Sequence, residues 1–518
     1  MQSDDHTVTA GASRCRLCDV SLLTQRTATP GRKYASVSYE DQPSRDLLSL
    51  VGTYSSAKLP DDVFLVIMEL QSDFGDTCGL SSLSRTCRDL RDIATRFLLR
   101  PGVTLRENKD VVSFQVFMSI RTDRRFSYFQ GLSVKTGPLS PDATEALLHL
   151  LTQVTDLIRL AIHDAEGVLG SDPRLPGAFA ALTCLKHLEF SATEDPDDEG
   201  CVEMLRGLKS QLVTAHLDLP SAMRSTRQFG HRRCQLVNPI RLLEHSTGTL
   251  TELSGTNFEA WTLRSDAIYP HVKRLQFKFG MFLEISRYIL SFPNLSSLEF
   301  ACGMSFGPGT IEVMAGTNEK SQNEVGCWKS LDELAATLTD LQAIPVRCHA
   351  TTLFVYASER HGTTRISLLA DIVARYQPTN LRLEVDSQSF RMRTLASALR
   401  RSEAASFVKT LEVHAVMRGK DRSVHMDPDE FFGLVINTVA ELPLTSFKIH
   451  LDHEQRDPAN GRAANPSGEC DLETKFGSWD PAEYIARTRE SCPALRELAV
   501  ERSCSCASSR MLLAKQFE

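Results

Sequence analysis

The chain has 518 residues and a mass of 57.6 kDa, too long for one compact hydrophobic core. It therefore contains several domains or one elongated repeat domain. Its hydrophobic and charged shares of 42% and 24% are those of a globular protein, and its net charge of −7 argues against general binding to nucleic acid or to anionic membranes.

Residues 1–54 are rich in Ser, Thr, Asp and Arg and poor in periodic apolar positions, which predicts a mostly disordered leader. Cys15 and Cys18 have zinc-ligand or redox spacing, but a structural zinc site needs four ligands, so an unpaired dithiol is favoured. The 14 cysteines lack regular spacing, which predicts reduced and mostly buried thiols. The polar start is not that of a signal peptide and no apolar run reaches the length of a membrane span, so we expect a cytoplasmic or nuclear protein without membrane attachment.

Helical periodicity begins at Pro60, which lies where a first helical turn favours proline. The first apolar stripe consists of Val63, Ile67 and Leu70, and the second consists of Leu80, Leu83, Cys87 and Leu90. Ile93, Ala94 and Phe97 continue the pattern on a third helix, and Pro101-Gly102 ends it. A three-helix bundle over residues 55–102 buries little surface alone, so we expect it to dock onto a neighbouring domain or a partner.

After Gly102, short segments of the form apolar-x-x-Leu-x-apolar recur. The twelve segments are 128–137, 156–164, 182–192, 212–221, 250–258, 271–280, 293–303, 351–358, 379–387, 407–416, 444–452 and 493–501. The clearest examples are Leu185/Leu188/Phe190, Val272/Leu275/Phe277, Leu295/Leu298/Phe300, Val408/Leu411/Val413 and Leu495/Leu498/Val500. Amphipathic helical stretches lie between them, at 144–155, 201–211, 281–292, 366–377, 393–403, 428–442 and 481–491.

Alternating strands and helices predict an α/β fold, either a doubly wound sheet or a solenoid of repeats. The spacing of about 22–36 residues and the repeated leucine pattern favour irregular leucine-rich repeats over residues 103–502, with a parallel sheet on one face. A doubly wound sheet would show near-continuous apolar strands and a glycine-rich phosphate turn. Two wider spacings, near 303–328 and 453–479, are interpreted as loop insertions, and residues 503–518 as a C-terminal tail.

Motifs for phosphate binding, zinc proteolysis, serine hydrolysis and dinucleotide binding are absent from the sequence. The glycine-rich run 303–309 is interpreted as part of a loop insertion, and the acidic run 194–200 as a solvated loop that favours the start of the next helix. His450, Asp452, His453 and Glu454 lie close in sequence, but strand alternation turns His453 away from His450 and Asp452. We therefore predict no catalytic residues, no metal ligands and no cofactor, while an enzyme whose site is assembled from distant residues stays an alternative.

The segment from Lys58 to Gly102 resembles an F-box, in the version found at the head of fungal F-box/leucine-rich-repeat proteins. The resemblance rests on Leu59-Pro60 with the acidic pair after it, on the first apolar stripe, on Leu80, and on the run from Leu83 to Arg88 followed by Leu90 and Ile93. It covers about 45 residues and is strengthened by the leucine-rich array that follows. The link at 71–79 is longer than in many F-boxes, which would loosen the bundle.

This resemblance implies a substrate-recognition subunit of an SCF ubiquitin ligase, in which the F-box binds a Skp-family adaptor and, through it, a cullin. The implied adaptor-binding and bundle-forming positions are Leu59, Pro60, Val63, Ile67, Leu70, Leu80, Leu83, Cys87 and Leu90. The repeats would hold a protein substrate near the ubiquitin-loaded enzyme, so other subunits would make the bond. The alternative is a leucine-rich interaction scaffold without a role in ubiquitination.

Overall fold

A computed structural model describes a large part of the chain. The described residues are 61–73, 77–86, 88–120, 122–192, 199–219, 239–256, 266–279, 284–302, 307–356, 367–386, 399, 406–418, 433, 435–437, 439–440, 442–454, 481–504 and 510–516. The chain divides into two compact units. The first comprises residues up to Ala192 together with Gly207–Ser210, and the second comprises Thr193–Arg206 and the residues from Gln211 onward.

The first unit begins with three helices, in the segment where the sequence predicts three. They are α1 (Asp61–Asp73), α2 (Thr77–Ser84) and α3 (Arg88–Leu99). Because α1 continues to Asp73 and α2 begins at Thr77, residues 71–73 and 77–79 of the predicted long link are helical, and 74–76 lie outside the described residues. The helices bury Met68, Leu80, Leu90 and Ala94 in one cluster.

Four parallel strands follow in the first unit, each paired with the next along the chain. They are β1 (Val103–Leu105), β2 (Gly131–Val134), β3 (Arg159–Ile162) and β4 (His187–Ser191). The helices between them are α4 (Asn108–Ser119), α5 (Thr122–Tyr128), α6 (Pro141–Gln153), α7 (Ala165–Leu169) and α8 (Leu175–Ala180). Helix α9 (Glu199–Gly207) spans the division between the units.

The third helix is tied to the strands by Arg159 at the start of β3. Its guanidinium donates hydrogen bonds to the carbonyl oxygens of Arg100 and Pro101, at 3.0 and 2.9 Å. Gly102 has a φ of +111°. Its backbone lies so close to Gly131 that a Cβ added at Gly102 would be 3.2 Å from the backbone of Gly131. This turn therefore requires glycine, and it fixes the three-helix bundle against the strands of the same unit.

The second unit repeats the strand–helix pattern. Its described strands are β5 (Thr214–Asp218), β6 (Glu252–Thr256), β7 (Arg274–Phe279), β8 (Ser297–Cys302), β9 (Ser330–Thr337), β10 (His349–Tyr356), β11 (Asn380–Asp386), β12 (Thr410–Arg418), β13 (Ser446–Glu454), β14 (Glu497–Cys504) and β15 (Arg510–Gln516). Its described helices are α10 (Pro239–Leu242), α11 (Ile285–Ser291), α12 (Pro308–Val325), α13 (Leu338–Ala343), α14 (Ser367–Tyr376) and α15 (Pro481–Ser491). Strands β5 to β14 are parallel and paired in sequence order.

The predicted strand–helix α/β architecture is confirmed. Each of the twelve predicted segments overlaps one strand, and all five of the clearest apolar triplets are buried. In the second unit, the central residues of the strands form one continuous ladder, in which each residue lies opposite the next. The ladder runs Ala215, Leu253, Leu275, Leu298, Leu334, Leu353, Leu381, Leu411, Phe447 and Leu498. Burying such a ladder is the main source of stability in stacked repeats.

The loop insertion predicted near 303–328 is wrong, because helix α12 occupies Pro308–Val325. Its buried positions are Ile311, Met314, Asn318 and Gln322, which follow one helical stripe. The last two residues of that stripe, Asn318 and Gln322, carry amide side chains. The apolar periodicity in the sequence therefore ends before the helix does. The insertion predicted near 453–479 lies almost wholly outside the described residues, as do the stretches 393–403 and 428–442, apart from a few positions.

Three further strands differ from expectation, the first being β1 (Val103–Leu105), which no predicted segment covers. Strand β9 was not predicted. Its pattern of Leu331, Leu334 and Ala336 has a small residue at the last apolar position, and the residues around it favour a helix. Strand β15 lies in the predicted C-terminal tail and pairs antiparallel with β14. An antiparallel strand at this position covers an edge of the sheet that would otherwise expose unpaired backbone groups.

Buried polar side chains join neighbouring repeats of the second unit. Trp328 donates its indole hydrogen to the carbonyl of Phe292 at 2.8 Å, and the hydroxyl of Tyr376 accepts from the amide of Val346 at 3.1 Å. The amide of Gln322 donates to the carbonyl of Pro345 at 2.7 Å, and its oxygen accepts from the amide of Arg347 at 2.9 Å. These bonds satisfy backbone groups of the connecting loops, which lie outside any strand ladder.

We predict that Gly255→Ala strongly destabilises the second unit. Gly255 lies in β6 with a φ of +150°, and an added Cβ would lie 1.9 Å from the carbonyl oxygen of Leu217 on β5. We expect a loss of at least about 3 kcal/mol in the free energy of unfolding, measured by urea denaturation. The control is Gly248→Ala, because nothing lies within 4 Å of that Cβ; equal midpoints for both variants would contradict the prediction.

We also predict that Gln322→Met costs about 2–4 kcal/mol of unfolding free energy, because two buried backbone groups lose their partner. The matched control is Glu324→Met, at an exposed position of the same helix. Thermal and urea unfolding of both variants checks the difference. A change below about 0.5 kcal/mol for Gln322→Met would mean that the loop finds other partners.

Candidate functional site

Helix α1 presents two different apolar faces. One face carries Phe64 and Met68 and packs into the cluster of the bundle, where Met68 is fully buried. The other face carries Val63, Val66 and Leu70, whose exposed fractions are 38%, 56% and 50%. These three residues follow i, i+3, i+7 spacing, so they form a single stripe along the helix.

Two of the three residues of the predicted first stripe therefore face outward. Val63 and Leu70 are exposed, and Ile67 is half-buried between the two faces. Among the residues that the structure describes, eleven large apolar side chains are exposed, and four of them lie on α1: Val63, Leu65, Val66 and Leu70. Such a concentration on one short helix differs from the scattered exposure of ordinary surfaces and makes this face a candidate interaction surface.

The other predicted site residues divide differently. Leu80 and Leu90 are buried in the bundle's own cluster, and Leu83 packs against it half-buried. Leu59, Pro60 and Cys87 lie outside the described residues. Leu80, Leu83 and Leu90 therefore hold the bundle together, and Val63 and Leu70 are the predicted residues available to a partner.

The sequence pattern did not predict that Val66 is exposed, or that Phe64 and Met68 pack into the bundle. Every position from Val63 to Met68 is apolar, so several stripes fit the same run. The polar residue Glu69 could have distinguished these stripes. It lies three positions after Val66, on the exposed side of the helix, and is itself exposed.

The connection between α2 and α3 is held by polar contacts. The guanidinium of Arg91 on α3 donates to the carbonyl of Ser84 on α2 at 3.3 Å, and within α3 the hydroxyl of Thr95 donates to the carbonyl of Arg91 at 2.7 Å. The first contact satisfies a carbonyl at the end of α2, where helices leave such groups without partners. The bundle thus holds its shape while the outer face of α1 stays open.

A second candidate is the polar face of the sheet in the second unit, where His450 lies between strands β12 and β14. Its Nδ1 lies 2.8 Å from a carboxylate oxygen of Glu501. Its Nε2 lies 3.3 Å from a carboxylate oxygen of Glu412, too poorly aligned for a strong hydrogen bond, so this contact is mainly electrostatic. Arg382 also pairs with Glu412, at 3.1 Å.

These charges shift two pKa values in opposite directions. Interaction with Glu412 is the main cause that raises the pKa of His450; partial burial opposes it and Glu501 adds to it. Interaction with His450 lowers the pKa of Glu412, with further help from Arg382 and against partial burial. The arrangement therefore favours an imidazolium between two carboxylates. The side chains of Asp452, His453 and Glu454 lie outside the described residues, and the described ionic partners of His450 come from β12 and β14.

A hydrogen-bonded line of Ser254, His216 and Asp218 lies on the same face, in strands β5 and β6. The Nδ1 of His216 is 2.8 Å from the hydroxyl of Ser254, and its Nε2 is 3.2 Å from a carboxylate oxygen of Asp218. Interaction with His216 is the main cause that lowers the pKa of Asp218. The side chains of His216 and Asp218 are 44% and 36% exposed, whereas hydrolase triads keep the acid buried and exclude water. This line therefore stabilises strand pairing.

The remaining predicted features concern cysteines and metal ligands. Cys15 and Cys18 lie outside the described residues. The six cysteines whose side chains are described are unbridged, and Cys78, Cys184 and Cys327 are exposed, so the prediction of mostly buried thiols is wrong for them. Within the described ranges, no group of three or more His, Cys, Asp or Glu residues is arranged to hold a metal ion.

No protein-family model matches the chain, and no curated protein is significantly similar to it. Among the described residues, the helices fall short of the length and apolar character that a bilayer crossing requires.

We predict that the contribution of His450 to stability depends on pH. A raised pKa means that the charged imidazole stabilises the fold fully below about pH 6.5, the ordinary histidine value, and that this contribution is lost as the pH rises through the higher folded-state value. The lowered pKa of Glu412 sets the acidic limit of this stabilisation, because the contribution of its carboxylate is lost on acidification below about pH 4.3. His450→Gln should therefore cost about 1 kcal/mol near pH 5.5 and much less at pH 9.

Urea unfolding of the wild type and the variant across this pH range measures the difference. The groups facing His450 are Glu412 and His414 on β12 and Glu501 on β14, and none of them is altered. His349→Gln, at an exposed histidine on β10, serves as the control. A cost for His450→Gln that is independent of pH would show that the charge contributes nothing.

Proposed function

We propose that this protein is the substrate-recognition subunit of an SCF-type ubiquitin ligase. The observation that carries the proposal is the outer face of α1, where Val63, Val66 and Leu70 are exposed while Met68, Leu80, Leu90 and Ala94 form the bundle's own core. It lies in the segment that resembles an F-box, and an adaptor of the Skp family is the partner which that resemblance implies. Burial of this stripe would supply binding energy that the bundle does not use for itself.

The repeats behind the bundle support the receptor part of the proposal. Parallel strands in sequence order, with a leucine ladder on one face and polar side chains on the other, fit leucine-rich repeats, which bind proteins through residues spread over many repeats. In such a receptor the protein contributes proximity and orientation, and the bond to ubiquitin is made by other subunits. No catalytic group is then required of this chain.

The fixed attachment of α3 fits the same role. Arg159 holds the end of α3 to β3, and Gly102 fits closely against Gly131. A bundle held rigidly against the first strands would transmit the adaptor's position to the neighbouring repeats instead of swinging on a flexible linker.

The test is binding of the full chain to a purified Skp-family adaptor, comparing wild type with the double variant Val66→Asp/Leu70→Asp. Both side chains are half-exposed, so losing their burial costs about 1–1.5 kcal/mol each, and burying two carboxylates costs more. We expect an affinity at least about 100-fold weaker.

Val116→Asp on α4 is the matched control, since Val116 is 54% exposed on another helix of the same unit. Circular dichroism and unfolding midpoints should be unchanged for all variants. Unaltered adaptor binding by a folded Val66→Asp/Leu70→Asp variant, or no binding by the wild type, would contradict the proposal and favour an interaction scaffold outside ubiquitination.

A further inference from the structure

Two aromatic rings stand on the polar face of strand β10. Phe354 and Tyr356 alternate with the buried residues Leu353 and Val355, so they point to the side of the sheet opposite its core. Both are half-exposed, and their ring centroids are 4.5 Å apart at an angle of 50°. This tilted pair leaves both rings partly exposed on a sheet surface that is otherwise rich in charge.

Three carboxylates surround these rings, one from each of three neighbouring strands. Glu299 on β8 accepts a hydrogen bond from the hydroxyl of Tyr356 at 2.8 Å. Glu384 on β11 lies directly opposite Tyr356 in the strand register, and Glu333 on β9 lies on the same face, opposite Ser297. Burial raises the pKa of Tyr356, and the negative charges of Glu299, Glu384 and Glu333 add to this, which places all three near its hydroxyl.

A small residue makes this arrangement possible. Ala335 lies opposite both Glu299 and Phe354 in the register of β8, β9 and β10. Because its side chain is a single methyl group, Tyr356 reaches across β9 to Glu299, and Ala335 is left only 2% exposed. We call Glu299, Glu333, Phe354, Tyr356 and Glu384 the acidic–aromatic surface.

The nearby arginines do not neutralise this surface, because they are engaged elsewhere. Arg274 on β7 pairs with Glu252 at 3.1 Å, and Arg382 on β11 pairs with Glu412 at 3.1 Å. Arg382 lies directly opposite Phe354 in the strand register, but its guanidinium is shared with Glu412, and the Nδ1 of His414 lies 3.9 Å from a carboxylate oxygen of Glu384. The local charge is therefore negative around the two rings.

We propose that the acidic–aromatic surface binds a lysine or arginine side chain in an exposed segment of a partner protein. Carboxylates form charge-assisted hydrogen bonds with both cations, and a cation over an aromatic ring gains further electrostatic attraction. Three carboxylates on adjacent strands complement a basic segment and repel nucleic acid and anionic lipid. The partner is a ubiquitination substrate only if the proposed function holds, but the binding itself does not require it.

The test uses the full chain and two fluorescein-labelled octapeptides, one of alternating glycine and lysine and one of alternating glycine and glutamate. Fluorescence anisotropy should detect binding of the lysine peptide and at least about tenfold weaker binding of the glutamate peptide. Raising the salt from about 50 mM to about 200 mM should weaken the lysine complex. No binding of the lysine peptide, or equal binding of both, would overturn the proposal.

Variants locate the site. Glu299→Gln/Glu333→Gln should weaken binding of the lysine peptide at least about tenfold, and Phe354→Leu about threefold to tenfold through loss of the ring. Glu497→Gln, which alters a carboxylate on the same face but on β14, three strands beyond β11, should change it less than about twofold. Unchanged affinity in the folded double variant would refute the assignment, and if that variant fails to fold, Phe354→Leu decides.

The two proposals fail independently. Val66→Asp/Leu70→Asp should keep its affinity for the lysine peptide, and Glu299→Gln/Glu333→Gln should keep its affinity for the adaptor. Loss of peptide binding with adaptor binding intact would remove the basic-segment site and leave the receptor role standing. The reverse result would leave a binding surface for basic segments in a protein without a ligase role.

Discussion

The structure depends on one constraint: a single strand–helix repeat cannot bury its own apolar face. Each central leucine of the second unit is covered by the leucine of the strand on either side, so Leu275 needs Leu253 and Leu298, and Leu411 needs Leu381 and Phe447. The loops between repeats pose the complementary problem, because their backbone groups lie outside the strand ladders. Buried polar side chains such as Gln322, Trp328 and Tyr376 satisfy them, although these residues share neither type nor position. The repeat is therefore regular in its strands and irregular in its connections.

The same constraint explains the bundle at the start of the first unit. Three short helices have more apolar surface than a common core can take, and the excess collects on one face of α1 while Met68, Leu80 and Leu90 close the interior. An exposed stripe of this kind costs solubility unless a partner covers it. Because α3 is held to β3 through Arg159, the stripe sits on a supported element, which suits a docking role better than a flexible arm would.

The polar side of the sheet carries most of the chain's distinctive chemistry. Parallel strands in sequence order place residues from successive repeats side by side, so charges that are far apart in sequence become neighbours. His450 therefore lies between two carboxylates, those of Glu412 and Glu501. The rings of Phe354 and Tyr356 likewise lie beside three other carboxylates. The first group is compensated within the sheet, whereas the second keeps a negative charge, and that difference separates a stabilising network from a binding surface.

The sequence by itself determined where most strands lie, because the spacing of Leu185, Leu188 and Phe190 and its repeats follows from the two-residue period of a strand with one buried face. It also located three helices before Gly102. It did not reveal α12, whose inner stripe ends in Asn318 and Gln322, or β9, whose pattern ends in Ala336, because amide and alanine positions carry no apolar signal. Which face of α1 stays open was decided only by the tertiary structure, since every residue from Val63 to Met68 is apolar and only packing against α2 and α3 selects Phe64 and Met68. The partners of His450 and Tyr356 were likewise set by strand register, which brings together residues that local sequence patterns never compare.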